Sequence, residues 1–265
     1  MLPIKKIYID TRFKSSDSAS DSDFKIDLPT TLLMPEDTGF YVDDVCLPHT
    51  WFPVEADVND KLIFKLIHET KRVATIPHGN YSVKDLGVAI ATAMNASAGV
   101  EYFESEYLNT TTALKIKLKT AFASSPFTIY TDATFISMEL PYLGETLNPL
   151  LKNLTQKAFD TTSFLSGYVD IYPLRNIYMT SSGLGNFNTM SVTGDRNIIK
   201  KIPVNAGHGD VIFDQTVTGM DYLDCSHQTL SRISFQLKDI FGKTINLHGN
   251  HMSFSIVFAR VQDGS

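Results

Sequence analysis

The stretch Leu230–Val261, LSRISFQLKDIFGKTINLHGNHMSFSIVFARV, decides the fold. Ile233, Phe235 and Leu237 alternate with Arg232, Ser234, Gln236 and Lys238, the period of a half-buried strand. After a turn-rich connector, Met252, Phe254, Ile256 and Phe258 line one face of a second strand. Ser253 and Ser255 begin its other face, but Val257 and Ala259 continue it. That strand is therefore covered on both sides, by the chain's own N-terminal strand or by a neighbouring subunit. Its position near the C-terminus predicts that the end of the chain closes a sheet.

The same alternation recurs upstream. Ile4–Ile9, Phe24–Leu28, Phe40–Leu47, Leu62–Ile67, Val169–Ile171, Arg175–Thr180, Ile198–Val204 and Val211–Val217 read as strands set apart by turn residues. Between them the pattern changes. Ser82 with Asp85 forms a capping box, Tyr81 can staple to Leu86, and Val83, Leu86, Ile90, Ala93 and Met94 share one helical face that Gly99 ends. A hairpin follows; a turn at Asn109–Thr112 sets Glu106 opposite Lys115 and Glu104 opposite Lys117. Phe127–Tyr130 is a further strand, and Asp132 caps a short helix through Met138. The reading is a mainly β chain: a single jelly-roll sandwich of two antiparallel sheets over residues 1–70 and 146–265, with an inserted small α+β unit over 71–145.

A chain of 265 residues buries enough surface to fold without disulfides or metals. Cys46 and Cys225 are its only cysteines and read as free thiols. The first residues, MLPIKKIYID, show no export signal, and no run reaches the length of a membrane span. A net charge of −6 argues against a dedicated nucleic-acid binder.

The Ser/Asp-rich run Arg12–Asp23 reads as a mobile loop; it lacks the Gly and Glu of a calcium loop. No G-x-S-x-G elbow is present, and Cys225 near His227 has no protease-like context. His248 and His251 flank a glycine that reads as a tight turn, with the imidazoles capping backbone groups. GLGNF at Gly183–Phe187 lacks the Lys-Ser/Thr ending of a phosphate loop. Trp51, between Pro48 and Pro53, is either a stacking platform or a plug at the end of the core. No catalytic, cofactor-binding or metal-ligating residue is assigned, and the chain does not read as an enzyme.

Collinear segments across nearly the whole chain carry a resemblance. IYIDTRFKSSDSASDSDFKIDLP (Ile7–Pro29), FYVDDVCLPHTWFPVE (Phe40–Glu55), RNIYMTSSGLGNFN (Arg175–Asn188), NIIKKIPV (Asn197–Val204) and FQLKDIFGKTINLHGNHMSFSIVF (Phe235–Phe258) resemble the minor capsid protein of Polinton/Maverick elements, the polintoviruses. The resemblance implies a penton: a jelly roll forming homopentamers at capsid vertices beside a double-jelly-roll major capsid protein. It implies a virion location after assembly inside the host cell, and no catalytic residues to transfer. Gly194-Asp195-Arg196 is not the integrin-binding RGD motif, so no receptor role is implied. The loops Arg12–Asp23 and Ser181–Asn197 are the candidate subunit contacts. The alternative is a carbohydrate- or receptor-binding jelly roll, for which Trp51 and exposed tyrosines such as Tyr142 are the motive.

Overall fold

A computed structural model describes residues 3–66, 70–122, 126–130, 148–151, 162–172, 174–189, 194, 197–218 and 221–260. In chain order the strands are β1 Pro3–Asp10, β2 Asp23–Leu33, β3 Thr38–Pro48, β4 Lys61–Leu66, β5 Arg72–Thr75, β6 Phe103–Leu108, β7 Ala113–Leu118, β8 Phe127–Ile129, β9 Ser163–Leu165, β10 Asn176–Thr180, β11 Ile198–Pro203, β12 Val211–Asp214, β13 Leu223–Asp224, β14 Thr229–Lys238 and β15 Ser253–Arg260. The one long helix among the described residues is α1, Val83–Ala98. The chain divides into two compact units, Met1–Trp51 with Leu174–Ser265, and Phe52–Pro173.

The first unit has two sheets, ordered β1-β15-β3-β12 and β11-β10-β14-β2, with β13 added on β3. The pairing is nested. β1 pairs antiparallel with β15, β2 with β14, β3 with β12, and β10 with β11. A long antiparallel hairpin rolled on itself gives this order, and it defines a jelly roll. The two strands of Leu230–Val261, β14 and β15, fall in different sheets, facing each other across the core. Phe235 on β14 meets Phe254 on β15 edge to face at 5.0 Å, and Phe24 of β2 stacks on Phe235 at 5.3 Å. These rings lie at 0–3 % exposure in one continuous apolar cluster. Each such pair contributes about 0.5–1.5 kcal/mol beyond its buried area.

The second face of β15 has a local explanation. Val257 and Ala259 are buried but stand outside the core cluster. Val257 lies in register between Lys6 of β1 and Tyr41 of β3, and Tyr222 packs edge-on against Tyr41. The N-terminal strand thus lies beside β15 in the same sheet.

The second unit has its own core, drawn from α1 and two three-stranded sheets, β5-β4-β8 and β6-β7-β9. Ser82 caps α1, its hydroxyl accepting from Asp85 N–H at 3.1 Å, and Gly99 ends it at φ 75°. The β6–β7 hairpin pairs Glu106 with Lys115 and Glu104 with Lys117, the register read from the sequence. The boundaries differ from 71–145. Leu62–Leu66, counted with the sandwich, pairs as β4 with β5 and β8. Val169, expected on a sandwich strand, is not in a strand and packs with this second core. Both segments alternate as well as true sandwich strands do, so periodicity could not tell which core they face. Asp132–Met138 lies outside the described residues.

Candidate functional site

Trp51 is 7 % exposed and belongs to the first core. Its ring stacks on His49 at 4.2 Å, and His49 Nδ1 sits 2.8 Å from the Ala206 carbonyl. Burial pushes the His49 imidazole below its usual range, so it is neutral near pH 7. Trp51 is therefore the plug of the core end. Tyr142 lies outside the described residues.

Cys225 is buried at the end of β13, where its thiol lies 3.4 Å from the Thr38 carbonyl. Burial, with Asp224 adding to it, pushes the thiol up to about 12, which removes the thiolate needed for nucleophilic chemistry. His227 is exposed at φ 59°. Cys46, His251 and Asp10 share a cleft of about 360 Å³ on the outer side of the first sheet. The imidazole of His251 is engaged by Asp21, with Nδ1 3.1 Å from Oδ1. This corrects the reading of His251 as a backbone cap. His248 and Gly249 do form the tight turn, at φ 51° and 75°. Among the described residues no group of His, Cys, Asp and Glu is arranged to hold a metal ion.

The Ser/Asp-rich run is the largest departure from expectation. Expected to be mobile, the segment from Thr11 to Ser22 is strapped along β2, the outer strand of its sheet. Ser15 N–H donates to the Lys25 carbonyl at 2.8 Å, and Lys25 N–H donates to Ser18 Oγ at 3.0 Å. Ser20 Oγ accepts from Ser22 N–H and Asp23 N–H. Backbone N–H groups and serine hydroxyls of the strap here replace the ladder bonds a further strand would make along Asp23–Lys25, the start of β2. The carboxylates fix the strap from above. Arg232 on β14 bridges Asp17 at 3.1 Å and Asp27 at 2.6 Å, Lys25 pairs with Asp17 at 2.9 Å, and Lys14 with Asp21 at 2.7 Å. The Arg232 bond, then the Ser15 hydroxyl, hold the Asp27 carboxyl below the usual range; Lys25 does the same first for Asp17. For Asp21, burial pushes upward, and Lys14 with His251 more than offsets it.

The opposite side of the sandwich is closed by a buried ion pair. Lys200 of β11 reaches Asp214 of β12 at 3.4 Å, with side chains 9 % and 3 % exposed. The same ammonium donates to the Thr216 and Val42 carbonyls. The pair forms the floor of a cleft of about 440 Å³ that Thr189, Lys201, Thr218 and Asp221 also line. Both charges are used inside the fold. GLGNF, the rejected phosphate loop, is a buttress: Gly185 stands at φ 93°, its N–H donates to Gln228 Oε1 at 2.8 Å, and Phe187 packs on Phe40 at 5.7 Å. A Cβ on Gly185 would come within 2.8 Å of the Asp224 carbonyl, so no other residue fits without backbone movement.

No helix among the described residues is long and apolar enough to cross a membrane. No protein-family model and no curated protein sequence matches the chain. Among solved structures, the crystal structure of the mavirus penton protein is similar, with a TM-score of 0.52 at 9 % identity, over 97 % of this chain and 100 % of that one. The likeness is one of fold, and with the nested strand order it shows that this chain has a penton-like jelly-roll architecture.

Proposed function

We propose that the chain is a structural virion protein, a minor capsid protein of the Polinton/Maverick type that forms homopentamers at capsid vertices beside a double-jelly-roll major capsid protein. One observation carries the reading: the chain matches the mavirus penton protein over nearly its whole length, with both units included in the overlap. The site geometry supports it. The charged and polar side chains that looked chemical are engaged in closing the sandwich, as Lys200 with Asp214 and Arg232 with Asp17 and Asp27 illustrate. The alternative as a carbohydrate-binding module loses its main motive, because Trp51 is buried.

Mass photometry and negative-stain imaging of the purified chain, alone and co-expressed with the major capsid protein, test the proposal. Ring-shaped pentamers, or incorporation at the vertices of co-expressed particles, are expected. A chain that stays monomeric at high concentration and is left out of the particles overturns it.

A further inference from the structure

The strands at the outer edges of the two sheets of the first unit are dressed unequally. An unpaired edge invites further pairing unless something blocks it. The edge of β2 is covered by the strap along Asp23–Lys25 and interrupted further on by Pro29. β11 carries the exposed Lys201 and ends at Pro203, which has no N–H to offer. β1 opens with Pro3 and carries Lys5 and Lys6. β12 has no such guard from Val211 to Phe213, and these two apolar side chains are 58 % and 51 % exposed. Beside them in register lie Pro48 and Cys46 of β3.

The other edge of the same sheet offers a matching surface. Past its lysines, β1 presents Tyr8 at 78 % exposure, and the turn Thr11–Phe13 presents Phe13 at 79 %. That turn is fixed at its root. Thr11 is fully buried, its N–H donating to the Met252 carbonyl at 3.0 Å and its hydroxyl accepting from Met252 N–H at 3.1 Å. An exposed aromatic on a fixed platform loses little freedom on docking, which is how contact anchors gain affinity. Charge agrees: Lys5 is exposed on this side, where Arg12 is paired with Asp10, and Asp210 is exposed next to β12. Direction agrees as well. Each strand in β1-β15-β3-β12 runs antiparallel to the next, so β1 and β12 are antiparallel. A neighbour placed head to tail about an axis along the strands would bring its β1 antiparallel to β12. Each copy then uses each edge once, as a closed ring with two different patches requires.

We propose that a second copy of this chain covers β12: the Val211–Phe213 edge of one protomer docks on the Tyr8–Phe13 edge of the next. The inference rests on the pentamer reading and names its interface.

The test uses the full chain. Val211→Lys with Phe213→Lys is compared with the unchanged protein by mass photometry, with thermal melting as the check on folding. Separately, Tyr8→Cys with Phe213→Cys, in a Cys46→Ser background that removes the neighbouring thiol, is oxidised and run on a non-reducing gel. The expected results are association at least about tenfold weaker for the lysine variant, and disulfide-linked oligomers that reductant dissolves for the cysteine variant. If the unchanged chain forms pentamers, the lysine variant assembles equally well and the cysteine variant stays uncrosslinked, this interface is overturned and the ring stands. If the lysine variant misfolds, the cysteine result alone decides. If the unchanged chain forms no pentamer alone or with the major capsid protein, the ring falls and this interface with it.

Discussion

Lys200 shows how much one side chain can hold. Nearly buried between β11 and β12, it meets Asp214 and two backbone carbonyls, so the outer strands of the two sheets are joined by charge at one place. Removing one partner leaves the other buried and unpaired, which costs about 3–5 kcal/mol, while replacing both with apolar residues of similar size is often neutral. Lys200→Met is therefore expected to lower stability to urea by about that much, and Lys200→Met with Asp214→Leu to regain most of it. A single variant that unfolds within about 1 kcal/mol of the unchanged protein would show that water still reaches the pair. None of this was legible in the sequence. Lys200-Lys201 looks like any solvated strand end, because burial of one lysine depends on strands far apart in the chain. Trp51 was half legible: between Pro48 and Pro53 it read as plug or platform, and only its burial in the first core decides for the plug.

At the scale of the element, the Ser/Asp strap departs most from its sequence. Low hydrophobicity and repeated Asp suggested a mobile loop, since such a segment cannot bury apolar surface. What holds it is hydrogen bonding to the start of β2 and ion pairs to Arg232 and Lys25, partners outside the run that its composition does not display, with Lys14 pairing to Asp21 within it. By contrast, α1 and the β6–β7 hairpin were readable in detail, because caps, turn and cross-strand charges are all local signals. The strap has a titratable consequence. Asp10, Asp17, Asp21 and Asp27 all have carboxyls held below their ordinary range in the fold. A group lowered on folding contributes stability above its unfolded pKa, about 4, and that contribution is lost as pH falls through the folded value. Stability should therefore decline as pH falls below about 4. Asp17→Asn with Asp27→Asn should be less stable than the unchanged chain at pH near 6 and show a shallower decline in acid. Urea midpoints measured across this range check it; parallel curves for the two proteins would mean that the strap carboxylates carry no net stability. High salt should narrow the difference, since these pairs are exposed.

Over the whole molecule, the nested pairing explains why the two ends of the chain govern the first unit. β1 and β15 are neighbours although almost the entire sequence separates them, and the insertion lies between β3 and β10. Jelly-roll class was legible from strand number and spacing; the partner of each strand was not, because nesting is a property of closure and not of any local segment. The same reason displaced the domain boundary, as Leu62–Leu66 and Val169 alternate without saying which core they face. Two clusters of buried side chains, one to each unit, lead to a last expectation. The segment Phe52–Pro173 encloses α1, both of its sheets and its own apolar centre, where Phe103 is edge-on to Phe64 at 5.5 Å and to Phe127 at 5.1 Å. Its short-range hairpin and capped helix need little loop closure, whereas the first unit must bring its two ends together before its sheets can form. Expressed alone, the segment is expected to fold with dispersed methyl resonances and a cooperative thermal transition. In the full chain, calorimetry should resolve this transition from that of the jelly roll, with the jelly roll refolding more slowly. A segment that gives the spectrum of an unfolded chain, together with a single calorimetric transition in the whole protein, would show that the two cores form as one cooperative unit.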